Sequence, residues 1–150
     1  MTSFVTSAGS AYLLAVLFGR TEQPLDTYYL GLCATLPELG DDGATITEPD
    51  VTTGYARAPV PNNDANWNAS GYYEVFNAQQ IFWPTVPEAS GWGELTAFAL
   101  LDVPDLLSGR LLLCGSLNPP LSPIPFTQVV VQPDQLVISA TSISPSYQPL

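Results

Sequence analysis

The sequence predicts an all-β domain, a β-sandwich or jelly-roll-like body of about eight strands with one short N-terminal helix. Three observations carry this. Fifteen prolines and eleven glycines in 150 residues break the chain into short elements, which suits strands joined by turns. Apolar and aromatic residues alternate over several short runs, the period of a strand. The clearest run, Gly91 to Asp102 (GWGELTAFALLD), opens on a Gly-Trp-Gly corner and stops ahead of Pro104, which cannot continue a ladder. Leu95, Ala97, Ala99 and Leu101 share one face of it, and Glu94, Thr96, Phe98 and Leu100 the other. Apolar groups on both faces after Thr96 mark a central strand covered on both sides.

The remaining elements follow in chain order. Residues 1–5, with Phe4 and Val5, form a short arm. Thr6 or Ser7 caps a helix over Ala8–Phe18, because a hydroxyl satisfies the free first-turn N–H groups. Tyr12, Val16 and Gly19 fall in one row and Leu13 and Leu17 in the next, so the helix presents an apolar stripe and plugs against the sheet. Gly19 is placed to end it. Thr27–Leu36 is a strand closed by Pro37, and Glu38–Thr53 an acidic surface loop. Gly54–Val60 reads as an edge strand, since Pro59 withholds a donor. Asn-rich Pro61–Gly71 reads as a loop. Tyr72–Phe76 and Gln79–Trp83 read as strands joined in a hairpin by Asn77-Ala78. Gly109–Leu117 is a further strand, and Asn118–Pro125, with four prolines, a stiff extended connection. Phe126–Gln132 and Gln135–Thr141 pair as a last hairpin across Pro133-Asp134, and a polar tail follows. The organisation is an arm and helix over 1–19, a sandwich over 20–141 and a tail over 142–150.

Charge narrows the function. The chain has no lysine and no histidine; Arg20, Arg57 and Arg110 face fourteen acids, for a net charge of −11. Such a chain repels phosphate, which excludes direct binding to nucleic acid and to an anionic membrane surface. The apolar run Tyr12–Phe18 lacks the basic flank of a signal peptide and is too short to span a bilayer.

Without histidine there is no Ser-His-Asp or Cys-His arrangement, and without lysine no Schiff base or P-loop. Cys33 and Cys114 cannot alone hold a structural zinc. They read as two buried thiols, with a disulfide as the alternative. Carboxylates remain as catalytic candidates: Asp41/Asp42, Glu88, Glu94, Asp102 and Asp105. Asp41/Asp42 reads as solvated, and Glu94 and Asp102 flank one strand too far apart to act on one bond, so no catalytic, cofactor or metal site is assigned. The acidic loop lacks the regular ligand spacing of a calcium site. Trp83 and Trp92 read as core or corner residues. Trp67, in the Asn-rich loop, reads as an exposed contact. Arg57 reads equally as a structural ion pair or an interface anchor.

The ordered set Gly54-Tyr55-Ala56-Arg57, Phe82-Trp83-Pro84, Gly91-Trp92-Gly93 with Phe98 and Asp102, then Gly109 and Leu111–Gly115 resembles the small virion proteins of tailed bacteriophages described as tail-fibre or minor-tail proteins. The resemblance runs from Tyr12 to about Ser139. It departs at Asn62–Gly71, at Asn118–Pro125 and at Pro133-Asp134, where Gly-Asp is the pattern. It implies a non-enzymatic, multi-copy virion component, tail- or fibre-associated or a capsid decoration subunit, that contacts other virion proteins and self-associates, with a trimer favoured. Phe4, Val5, Tyr12, Arg57, Trp67 and Tyr147 are the interface candidates. The alternative is a host-surface carbohydrate-binding module using Trp67 with Asn62, Asn63 and Asn66.

Overall fold

The computed structural model describes residues 3–20, 22–70, 74–87 and 91–139. Among these residues the fold is mostly antiparallel sheet with one α-helix. Its body is a five-stranded sheet in the order β1 (Ser3–Val5), β8 (Leu111–Leu121), β7 (Leu95–Leu101), β2 (Thr27–Cys33) and β3 (Ala58–Pro61). β7 is central, as its two apolar faces require. Phe98 and Leu100 point into a core shared with Leu30, Leu32, Trp83, Val86 and Trp92, while Ala97, Ala99 and Leu101 pack with Cys33, Cys114 and Ile46. A three-stranded sheet of β4 (Trp67–Ser70), β5 (Glu74–Asn77) and β10 (Val137–Ser139), and a pair of β6 (Ile81–Thr85) and β9 (Gln128–Val131), contribute to the first core. The acidic loop is more than surface: its Ile46 lies buried over the second face.

Several local expectations are corrected. Residues 3–5 are not a free arm but an edge strand, with Phe4 opposite Cys114. The Asn-rich segment contains β4, paired with β5. The two expected hairpins do not form. β5 pairs with β4 and β10, and β6 with β9, so the chain crosses between sheets after β5 and again after β9. Asn77 stabilises both crossings. Its buried side-chain amide donates to the carbonyls of Gln79 and Gln132, each at 2.8 Å, and its oxygen accepts from the Leu136 N–H at 2.8 Å. The residues Asn118 to Leu121 are the end of β8, not a connection, and β8 shifts register against β7 between Leu95 and Ala97. At the far edge, β3 carries Pro59 and Pro61, which cannot donate outward.

The helix α1 is Ser7–Leu17. Thr6 caps it, accepting the Gly9 N–H at 3.0 Å while donating to the Leu111 carbonyl. Phe18 closes it and Gly19 follows at φ +59°, a left-handed conformation that glycine adopts without strain. Gly9 sits directly against the Leu112 backbone, where any Cβ would collide with the carbonyl oxygen.

Candidate assembly surface

From Ser7 to Gly19 the chain has no ionisable side chain except the Tyr12 hydroxyl, in a protein with fourteen acids. Only Gly9 and Tyr12 of α1 are buried. The helix is therefore not the plug its apolar pattern suggests. Leu13, Leu14, Leu17 and Phe18 are 48%, 56%, 74% and 76% exposed. These four side chains form an uncharged apolar ridge of a few hundred Å², about the largest patch an ordinary monomer tolerates. Along one flank of the helix runs a largely apolar groove of about 80 Å³, whose lining includes Val5, Tyr12, Leu13, Tyr28, Leu112 and Leu113.

The other flank is charged. Ala11, Tyr12, Ala15, Arg20, Glu22 and Arg110 line an open cavity of about 490 Å³. Arg110 donates to Asp102 at 2.7 Å and to Glu22 at 2.9 Å, and its guanidinium lies 5.5 Å from the centre of the Tyr12 ring. Its two carboxylates hold its pKa above the ordinary arginine value. Tyr12 accepts the Leu25 N–H at 3.0 Å and meets the Tyr28 hydroxyl at 3.5 Å. Burial, with that contact, raises the Tyr28 pKa. Tyr12 is thus a buried anchor of the helix, and it lines both the groove and the charged cavity.

Arg57 resolves as a structural ion pair and not an interface anchor. Its Nε lies 3.1 Å from both Glu48 oxygens and its Nη2 2.7 Å from Oε2, with the two side chains 0% and 6% exposed. Its remaining donors reach the carbonyls of Val103, Ser108 and Gly43. Glu48 also accepts from the Tyr55 hydroxyl at 2.9 Å, which itself accepts the Leu32 N–H at 2.8 Å. Burial first, and the nearby Glu48 carboxylate second, push the Tyr55 pKa well up. Glu48 was hidden in the sequence among the acids of a loop that reads as solvated.

The other candidates disperse. Trp67 is half-buried against the main core and its Nε1 is buried with no hydrogen-bond partner among the described residues, so it is not an exposed contact. Trp83 and Trp92 are core residues; Trp92 meets Tyr55 edge to face at 5.2 Å and donates to the Thr53 carbonyl. Phe4 packs on the second core and Val5 stays exposed at the groove. Cys33 and Cys114 are free, buried thiols on strands separated by β7. Asp41 and Asp42 are spent on the turns of their loop, and Asp102 on Arg110. Glu94 and Asp105 are exposed, and Glu88 and Tyr147 lie outside the described residues, as does the tail. Among the described residues no three acids, cysteines or histidines gather as metal ligands. Among the described residues no helix is long and apolar enough to cross a membrane. No family model matches the chain, and a search of curated proteins finds no match.

Proposed function

We propose that this chain is a non-enzymatic structural subunit of a tailed-bacteriophage particle, tail- or fibre-associated or a capsid decoration protein, which works as a homo-oligomer. One observation carries the assembly part: an uncharged apolar ridge left open on a chain of net charge −11. Burying such a surface stabilises an association, and the absence of charge there lets two acidic bodies approach. The ordered motifs from Tyr12 to Ser139 support placement in a virion. Trp67, packed against the core, leaves the glycan-binding alternative without its expected platform.

Light-scattering chromatography of the wild-type chain and of Leu14→Glu/Leu17→Glu tests the assembly reading. The wild type runs as an oligomer and the double variant, whose substituted side chains lie on the surface, as a folded monomer. A monomeric wild type over the accessible concentration range overturns it. Immuno-electron microscopy of particles of the phage that encodes the chain tests the placement, and unlabelled particles would refute it.

A further inference from the structure

Ile124, Pro125, Phe126 and Thr127 form a tight turn closed by a Thr127 N–H to Ile124 carbonyl bond of 3.2 Å. Proline fixes the second position at negative φ, and Phe126 follows at φ +63°. That combination is a type II turn, whose third position belongs to glycine or asparagine. The chain builds the same turn at Gln132–Gln135, closed at 3.2 Å with Asp134 at φ +65°, and there uses a short polar residue that tolerates the conformation. At Phe126 it holds a bulky aromatic in a strained backbone and leaves it 69% exposed, beside Ile124 at 64%. Nothing within the described fold uses that side chain. The turn is anchored instead through its backbone, by the Phe126 N–H on the Val86 carbonyl.

We infer that the Ile124-Pro125-Phe126 tip is a knob that seats in the apolar groove beside α1 of a second copy of this chain. The groove opens at the start of β8, against Leu112 and Leu113, and the knob follows its end at Leu121. Opposite Leu113 and Leu121 on β7 lie Leu100 and Leu95, five residues and so about 17 Å apart at the usual rise of a strand, and within one chain the exposed knob does not reach the groove. The two surfaces are also matched in charge. Leu111 to Gln132 contains no ionisable side chain except the buried Cys114 thiol, and the helix is uncharged, so like charge does not oppose the contact. Knob and groove are different surfaces, so the contact is head-to-tail, closing into a ring or growing as a filament.

The inference rests on the reading of the chain as self-assembling, and the test separates the two. Phe126→Gly removes the knob and relieves the turn. It raises the melting temperature of the dilute chain by about 2–4 °C while weakening association by roughly tenfold or more. Phe126→Asn, which the turn also accepts, weakens association alike. Leu13→Glu blocks the groove and leaves the knob. At concentrations just above those at which the wild type assembles, each single-site variant is monomeric alone, and an equimolar mixture of Phe126→Gly with Leu13→Glu gives a species of two chains that grows no further. If wild type assembles and the Phe126 variants assemble as well as it does, the knob is refuted while the assembly reading stands. A mixture that stays monomeric refutes the head-to-tail contact. A monomeric wild type refutes both.

Discussion

Replacing Glu48 by glutamine tests the claim that Arg57 is structural. The substitution keeps the shape and leaves an oxygen for Tyr55, but it removes the carboxylate paired with a guanidinium that is fully buried. It also turns an amide N–H₂ toward a group that can only donate. Breaking one side of a buried pair costs about 3–5 kcal/mol, because the remaining charge stays desolvated. That is a large share of a total stability of about 5–15 kcal/mol. For a chain of this size each kcal/mol moves the melting temperature by about 2–4 °C, so a fall of roughly 6–20 °C follows. Urea unfolding followed by tryptophan fluorescence reads the same loss, as a midpoint lower by about 2 M at ordinary urea slopes. Arg110→Gln is the internal control: that arginine is 40% exposed, and its pairs are worth at most about 1 kcal/mol each. Glu48→Leu/Arg57→Met should recover only part of the single-site loss: no charge is orphaned, but the Tyr55 hydroxyl and the Val103, Ser108 and Gly43 carbonyls lose their partners. A Glu48→Gln loss below about 1 kcal/mol, the size of a surface pair, would refute the reasoning.

Three further outcomes are expected. Thr6→Val removes a cap and leaves the Gly9 N–H without its acceptor, costing about 1–2 kcal/mol by chemical denaturation. Gly9→Ala drives a Cβ into the Leu112 carbonyl. It destabilises by about 3 kcal/mol or more and releases the Tyr12 contacts, read in the near-ultraviolet circular dichroism. Burial, and secondarily Asp41, push the Cys114 thiol from 9.0 up to about 11. A raised thiol favours the neutral folded form, so its contribution is complete below pH 9 and disappears as pH rises toward 11. The denaturation midpoint should fall across that window, less steeply in Cys114→Ala, and native protein at pH 8 should react with a thiol reagent only as fast as it unfolds.

The sheet's centre was legible because β7 carries its own pattern: Ala97, Ala99 and Leu101 against Phe98 and Leu100 identify two covered faces without reference to a neighbour. Pro59 placed β3 at an edge for the same local reason. The pairing of β5, β6, β9 and β10 was not legible. Adjacency and turn residues favour hairpins, but Asn77 closes a crossing through partners 55 and 59 positions away, and no window of sequence contains them. The candidate surface was half visible. Leu13 and Leu17 make an apolar stripe in the sequence, yet whether it faces the sheet or solvent depends on Gly9 and Thr6 docking to Leu111 and Leu112. The proline-phenylalanine turn has a cue in sequence, since proline followed by a bulky aromatic is an odd choice if the turn is type II, but the turn type is set by the backbone angle at Phe126, which the sequence does not fix.

The placement of β1 has a consequence for how the protein is made. Ser3–Val5 pairs with Leu113–Gly115, and Thr6 bonds to Leu112, 106 residues further on. At translation rates of about 5–20 residues per second, the first strand waits roughly 5–20 s for its partner. Throughout that wait the apolar helix beside it has nothing to pack on. This edge of the sheet is synthesised well before its partner and closed late, at the slow pace of a high-contact-order topology. A nascent chain stalled before Leu112 would present the ridge Leu13, Leu14, Leu17 and Phe18 to whatever chaperone or sister chain is nearest.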